Sequence, residues 1–266
     1  MANYIEQVRQ MNPVVLTVAN MVTPGDVANA VNAIGGSPIM SSSPEEADEM
    51  VKIAGGVTIN AGTLNQAQQK QIEAVLKATD PTEKPVVLDP VAVALPYRSR
   101  FIHHLLDQHR VSLIRGNAGE IASLADIPWG SHGVDSDHGD PQKLRQVAVA
   151  CSKKYHTLVA LTGAHDVIAD GYRVATNDCG TAMFQAYVGC GDMVSSVLAA
   201  FLATGGDYWR SALAGVQAFT VAGQLAADSL PQPVPGSFFT ALLDQLYLLD
   251  DQKLASYITK EDAQND

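Results

Sequence analysis

Short apolar runs that end in polar residues or glycine alternate with stretches of helical periodicity through the first two-thirds of the chain. The runs Val14–Val18, Gly56–Asn60, Val86–Asp89, Val111–Arg115 and Leu158–Thr162 are rich in β-branched and aliphatic side chains. Such runs suit strands buried on both faces of a parallel sheet. Ser37–Met40 reads as a short extra strand. Between them the pattern predicts helices over Pro24–Ile34, Pro44–Ala54, Leu64–Ala78, Ser99–Gln108, Ala118–Leu124 and Pro141–Lys154. Thr23 precedes a proline suited to the first helical position, and Ser43 with Glu46 reads as a capping box. Val167–Ala169 and Arg173–Ala175, joined through Asp170-Gly171, predict a hairpin. The last third predicts helices over Asp192–Thr204, Tyr208–Ser229 and Phe238–Asp250, with a tail that frays after Ser256. β–α alternation followed by a helical layer predicts one α/β domain over residues 1–266, a mostly parallel central sheet with helices on both faces.

Composition narrows the partners. Hydrophobic residues make up 47% of the 266, and aromatics only 6%, which suits closely packed helices on a sheet. The formal charge of −11 with no Lys/Arg cluster argues against nucleic-acid binding. No apolar run approaches the roughly 20 residues that span a bilayer. Cys151, Cys179 and Cys190 show no metal-ligand spacing, and their odd number without a signal peptide points to the cytoplasm.

The candidate chemistry lies after the strands, because ligands of parallel α/β sheets sit beyond the strands' carboxyl ends. The runs lead to Asn20, to Gly62, to Asp89, to Arg115-Gly116-Asn117 with Glu120, and to Thr162-Gly163. Gly189-Cys190-Gly191-Asp192 opens an apolar run. Glycines there let successive amides converge, and a helix N-terminus adds positive potential, so the turn suits a phosphate. Asp192 stands where a carboxylate can take a hydroxyl proton. An anion cradle beside a carboxylate predicts phosphoryl transfer to an alcohol. Asp89 and Glu120 are candidates for Mg²⁺, directly or through water. Arg115 offers its fork to phosphate oxygens, and Thr162 and Gly163 offer a hydroxyl and an amide. Each feature also has a plainer reading: a turn, a helix-start carboxylate, a solvated helix residue or core filler. A cysteine near a helix N-terminus can carry a lowered pKa, a secondary possibility for Cys190.

The chain resembles the hydroxyethylthiazole kinases of thiamine salvage, in the ribokinase-like superfamily. The resemblance rests on Ser37-Pro38-Ile39-Met40, Ile53-Ala54-Gly55, Asn60-Ala61-Gly62-Thr63-Leu64, Leu88-Asp89-Pro90-Val91, Ile114-Arg115-Gly116-Asn117-Ala118-Gly119-Glu120-Ile121, Gly133-Val134-Asp135, Thr162-Gly163 and Pro235-Gly236-Ser237-Phe238, in that order. It implies a ribokinase-like three-layer sandwich and ATP-dependent, Mg²⁺-dependent phosphorylation of a hydroxyethyl thiazole. Met40, Gly189, Asn20 and Gly62 would serve the substrate, and Arg115, Thr162, Gly163 and Asn117 would serve ATP. Asp89 and Glu120 would serve the metal–phosphate region. Gly189, Cys190, Gly191 and Asp192 would form the catalytic turn. The family also implies a homotrimer.

The chain departs from the family pattern at Leu16-Thr17-Val18-Ala19-Asn20, at Gly25-Asp26-Val27-Ala28-Asn29 and in the loop Asp89–Arg98, one residue short of the usual length. Aspartate stands at position 192 where many family members carry cysteine. Alternative functions are a kinase for another small alcohol such as a hydroxymethylpyrimidine, an ATP-dependent dehydratase, and a ligand-binding paralogue without turnover.

Overall fold

A computed structural model describes residues 3–130 and 140–265, with side chains given to residue 258. The Gly133-Val134-Asp135 motif, and most of the polar loop from Gly130 to Asp140, lie outside the described residues. The elements run α1 (Tyr4–Met11), β1 (Val14–Val18), α2 (Pro24–Ile34), β2 (Ser37–Met40), α3 (Ala47–Ile53), β3 (Gly56–Asn60), α4 (Gln66–Thr79), β4 (Val86–Asp89) and α5 (Pro96–Gln108). They continue β5 (Leu113–Gly116), α6 (Ala118–Leu124), α7 (Pro141–Tyr155), β6 (Leu158–Leu161), β7 (Asp166–Ala169), β8 (Val174–Asn177), α8 (Met183–Ala186), α9 (Cys190–Leu202), α10 (Tyr208–Asp228), α11 (Pro235–Leu248) and α12 (Asp251–Asn265).

The sheet order is β2-β1-β3-β4-β5-β6-β7-β8. Every pairing up to β5–β6 is parallel, and the predicted hairpin adds β7 and β8 antiparallel at the edge. Successive strand residues point to opposite faces, and the core divides accordingly. Val15, Val87, Leu113, Ala160 and Ile168 join one cluster with α1, α2, α9, α10 and α11. Their neighbours Leu16, Leu88, Ile114, Val159 and Val167 join a second with α3 to α7. This is the expected three-layer sandwich.

Helix α9 is buried at every position from Met193 to Leu202. A helix apolar all round belongs inside, and α9 packs under the middle of the sheet against β1, β3 and β4. Its first turn therefore emerges where the strands end.

Three local expectations change. Pro44–Glu46 is a 3₁₀ turn, and Ser43 makes no capping bond. Its hydroxyl donates to Glu45 Oε2 at 2.6 Å instead. Past Ser256, where the pattern predicts a loose tail, the backbone is drawn as the rest of α12, Asp251–Asn265. The N-terminal helix α1, absent from the periodicity reading, is held from the far end of the chain. Asp251 accepts from Ile5 N–H and Glu6 N–H, both at 3.0 Å, while Asn3 at the α1 N-cap makes no side-chain cap. Arg9 returns the contact, donating to the Tyr247 carbonyl at 2.6 Å near the end of α11. Asp251→Ala is expected to cost about 0.5–2 kcal/mol of stability, the range for a lost N-cap. Urea denaturation measures it; an unchanged midpoint would show that α1 does not depend on this cap.

Candidate active site

The strand ends of β1, β3, β4 and β5 and the first turn of α9 bring the sequence-predicted residues to one place. Register does part of this: Asn60, ending β3, pairs with Asp89, ending β4. Asn20 follows β1, next to β3 in the sheet.

Helix α9 begins at Cys190, two residues before the predicted start, so Asp192 occupies its third position. Gly189 is the N-cap at φ +105°, a left-handed conformation natural to glycine. A Cβ there would also lie 2.6 Å from Thr23 Cγ2. The helix ladder opens with Met193 N–H bonding to the Gly189 carbonyl at 2.8 Å. The amides of Cys190, Gly191 and Asp192 precede that ladder, as first-turn amides do. Gly191 lets the Arg115 guanidinium lie against the same turn, where a Cβ would meet Nη1 at 2.5 Å. Backbone donors, the helix dipole and a guanidinium thus share one end of α9, an arrangement suited to an anion.

The half-buried Asp192 carboxylate faces three donors. Thr23 Oγ1 donates to Oδ2 at 2.5 Å, Asn20 Nδ2 to Oδ2 at 2.8 Å, and Asn60 Nδ2 to Oδ1 at 2.9 Å. Asn60 Nδ2 also reaches Asp89 Oδ2 at 3.2 Å. Asp89 is buried at 1% exposure, and its Oδ2 accepts from Ser195 Oγ at 2.8 Å and Arg115 Nη1 at 3.3 Å. Burial pushes the Asp89 carboxyl up to about 7; Arg115 opposes the rise, and the charges of Glu120 and Asp192 add to it.

Arg115 also donates to Thr162 Oγ1 through Nε at 2.9 Å and Nη2 at 2.6 Å. The end of β5 and the loop after β6 are therefore tied at the proposed phosphate region. Gly163 is exposed, and its amide donates to Asp166 Oδ1 at 3.0 Å. Asn117 and Glu120 form a reciprocal capping box at the start of α6, both bonds 2.9 Å. The other Glu120 oxygen accepts from Ala92 N–H at 2.9 Å. Glu120 thus clamps the loop after β4, where Ala92 stands at φ +57°, to the start of α6.

The donor set fits a magnesium ion through one carboxylate. Asp89 Oδ1 makes no hydrogen bond with the described residues, whereas both Glu120 oxygens already accept backbone N–H groups. No group of three His, Cys, Asp or Glu residues is disposed to hold a metal among the described residues. Mg²⁺ commonly uses one or two carboxylates and takes its other ligands from water and substrate phosphates.

Of the remaining expected residues, Gly62 N–H donates to Asn60 Oδ1 at 2.8 Å, and its carbonyl accepts from Arg98 Nη2 at 2.6 Å. Met40 ends the edge strand β2 beside Thr17 of β1, half-buried against the core and outside the hydrogen-bonded cluster. Cys190 does not become a reactive thiol: it is buried, and burial pushes its pKa up to about 12.

Thr23, Asn60 and Ser195 join the cluster without being among the expected site residues. Asn60 carried a usable signal, since it closes a buried strand as Asp89 does. Thr23 marks only the residue before a helix, and Ser195 is one small residue in an apolar run. A cleft of about 630 Å³ lies at the opposite end of the sheet, its lining including Lys84, Arg110, His156 and Asp207. Its Arg173 is already paired with Asp170 and Asp207.

Comparison with known proteins gives consistent likenesses. The model of the hydroxyethylthiazole kinase family matches residues 5–252. A hydroxyethylthiazole kinase of Limosilactobacillus fermentum is 46% identical over 258 residues, covering 97% of this chain and all of that protein. The structure of a hydroxyethylthiazole kinase protein from Pyrococcus horikoshii superposes with a TM-score of 0.86 at 29% identity, covering 96% of this chain and 95% of the other. A ribokinase-like superfamily protein from Enterococcus faecalis shares the fold, with a TM-score of 0.64 at 14% identity and coverage of 91% and 88%.

Proposed function

This chain belongs to the hydroxyethylthiazole kinase family, and on that premise we propose that it transfers the γ-phosphoryl group of ATP to the primary hydroxyl of 4-methyl-5-(2-hydroxyethyl)thiazole, a step of thiamine salvage. The observation that carries the reading is the start of α9. There the Asp192 carboxylate stands on the same turn as amides that precede the helix ladder, with Arg115 against Gly191.

Asp192 accepts the hydroxyl proton as the alcohol oxygen attacks the γ-phosphorus and the bond to the ADP oxygen breaks. The amides of Cys190, Gly191 and Asp192 stabilise the charge on the transferring group from fixed positions, without reorganising during the step. Arg115 binds phosphate oxygens, and Thr162 orients its guanidinium while keeping a hydroxyl proton to donate. Asn117 serves the nucleotide indirectly, by setting the start of α6. Asp89 would hold Mg²⁺ through Oδ1, with Glu120 fixing the loop beside it. When bound, the ion neutralises phosphate charge. Met40, Gly62 and Asn20 line the alcohol side.

The same reading makes the protein a cytoplasmic homotrimer, on family likeness. Among the described residues no helix is long and apolar enough to cross a membrane.

The test is ADP release by purified protein with Mg-ATP, with and without the thiazole alcohol. Thiazole-dependent ADP release with formation of the phosphorylated alcohol is expected. Faster phosphorylation of a hydroxymethylpyrimidine would move the substrate assignment, and tight thiazole binding without ADP would overturn the catalytic one.

A further inference from the structure

We propose that Asn20, Thr23 and Asn60 are positioning residues that hold the Asp192 carboxylate in one orientation and leave a single lone pair, on Oδ1, to receive the substrate's hydroxyl proton. The proposal rests on the reading of Asp192 as the base.

Saturation of the two asparagines carries the first part. Asn60 Oδ1 accepts from Gly62 N–H at 2.8 Å and Asn20 Nδ2 at 3.2 Å, while its Nδ2 donates to Asp192 at 2.9 Å and Asp89 at 3.2 Å. Asn20 Oδ1 accepts from the amides of Val22 at 2.8 Å and Thr23 at 3.2 Å, and its Nδ2 donates to Asn60 and to Asp192 at 2.8 Å. Every amide position in both side chains is used. Turning either amide over would set oxygen against carboxylate and N–H against N–H, so each has one sense only. Both are buried, at 6% and 2% exposure, where an unmatched polar group is costly.

Thr23 adds an independent sign. It stands at the N-cap of α2, where a threonine oxygen ordinarily accepts from its own helix. Here it makes no cap bond, and its hydroxyl is directed at Asp192 Oδ2, 2.5 Å away. The helix forgoes local stabilisation, and the carboxylate gains a short, charge-assisted hydrogen bond.

The second part follows by counting lone pairs. An ionised carboxylate offers about four acceptor positions. Thr23 and Asn20 fill Oδ2, and Asn60 takes one position on Oδ1. The substrate O–H therefore approaches Oδ1. Its proton passes to that oxygen while the alcohol oxygen forms the new bond to phosphorus and the ADP oxygen leaves with the electrons of the old one.

The experiment measures steady-state kcat and KM for Thr23→Val, Thr23→Ser and Asn60→Ala, with Asp192 intact and in an Asp192→Ala background. Thr23→Val keeps the shape of the side chain and removes the hydroxyl. It is expected to lower kcat about 10-fold, and Asn60→Ala about 10- to 100-fold, each less than the roughly 10²- to 10⁴-fold that the base itself contributes. KM for ATP should stay within about 3-fold, and Thr23→Ser should recover most of the loss. Without Asp192, the same substitutions should change the residual rate less than about 2-fold, because residues acting through one group are not additive. Full kcat in Thr23→Val, equal losses in Thr23→Val and Thr23→Ser, or losses that multiply with Asp192→Ala would overturn the proposal. Should Asn60→Ala fail to fold, the Thr23 pair decides alone. Near-normal turnover in Asp192→Ala by itself would show instead that the base assignment is wrong, and the positioning role would fall with it.

Discussion

Asp192→Asn is expected to lower kcat by about 10²- to 10⁴-fold, the span that a positioned general base contributes, while the protein remains folded. The carboxylate is only half-buried, so its replacement does not strip a core. The substituted amide cannot accept the hydroxyl proton, and it presents N–H where the native side chain presents only acceptors. With Thr23, Asn20 and Asn60 all donating toward the carboxylate, at least one of them must lose its partner. A modest loss of stability should therefore accompany the large loss of turnover. The amides before the α9 ladder and Arg115 remain, so KM for ATP should move much less than kcat. Turnover of the thiazole alcohol, followed by ADP release alongside thermal unfolding, reads both effects. A variant within a few-fold of the native rate would remove Asp192 from the chemistry and return attention to the transition-state donors alone.

Arg115→Met is expected to damage both nucleotide binding and the fold, and the damage to the fold should depend on pH. Methionine retains much of the side-chain bulk but takes the cation from Asp89 and the donors from Thr162. Breaking a buried ion pair from one side costs about 3–5 kcal/mol, because an unpaired charge stays behind. Asp89 can avoid part of that cost by holding a proton. Its folded pKa of about 7 lies above the unfolded value of a carboxylate. The folded state therefore binds this proton more tightly than the unfolded chain. Its stabilising contribution is complete below the unfolded pKa and is lost as pH rises through about 7. Without Arg115 the pKa moves higher still. The difference in unfolding free energy between native protein and variant should be larger at pH 8, where native Asp89 is ionised, than at pH 6. Denaturant titrations at the two pH values, without nucleotide or metal, measure it. A penalty independent of pH would mean that the pair contributes little and that Arg115 acts by packing. Separately, KM for ATP should rise by at least about 10-fold, the loss of a charge-assisted contact.

Much of this molecule was legible along the chain. The strands Val14–Val18, Gly56–Asn60 and Val86–Asp89 and the helices Pro24–Ile34 and Ala118–Leu124 have the boundaries that periodicity predicts. In each, the local pattern and the buried surface agree. The strand-end rule led directly to Asn20, Asp89, Arg115 and Thr162, because a parallel sheet gathers the residues after its strands at one edge. A turn at Gly189–Asp192 was legible because glycines stand directly before an apolar, helix-length run.

Other features were set by what meets across the fold. Nothing near Tyr4–Met11 announces a stable helix, since the acceptor for its amides is Asp251, 245 or more positions away. Glu120 reads as a candidate for Mg²⁺, directly or through water, but that its Oε1 accepts from Ala92 N–H in the loop after β4 follows only from the fold. Along the chain Thr23 only precedes a helix; helix α9 places a carboxylate 2.5 Å from its hydroxyl. Cys190 read as a possible reactive thiol until burial raised its pKa. Sequence by itself determined most of the strands and sheet-covering helices, the layered α/β class and the edge that carries the candidate chemistry, because propensity and hydrophobic period act over a few residues. Tertiary structure alone decided which polar groups partner which, because a hydrogen bond depends on distances of a few tenths of an ångström between atoms far apart in the chain, and on the burial that makes each pairing obligatory.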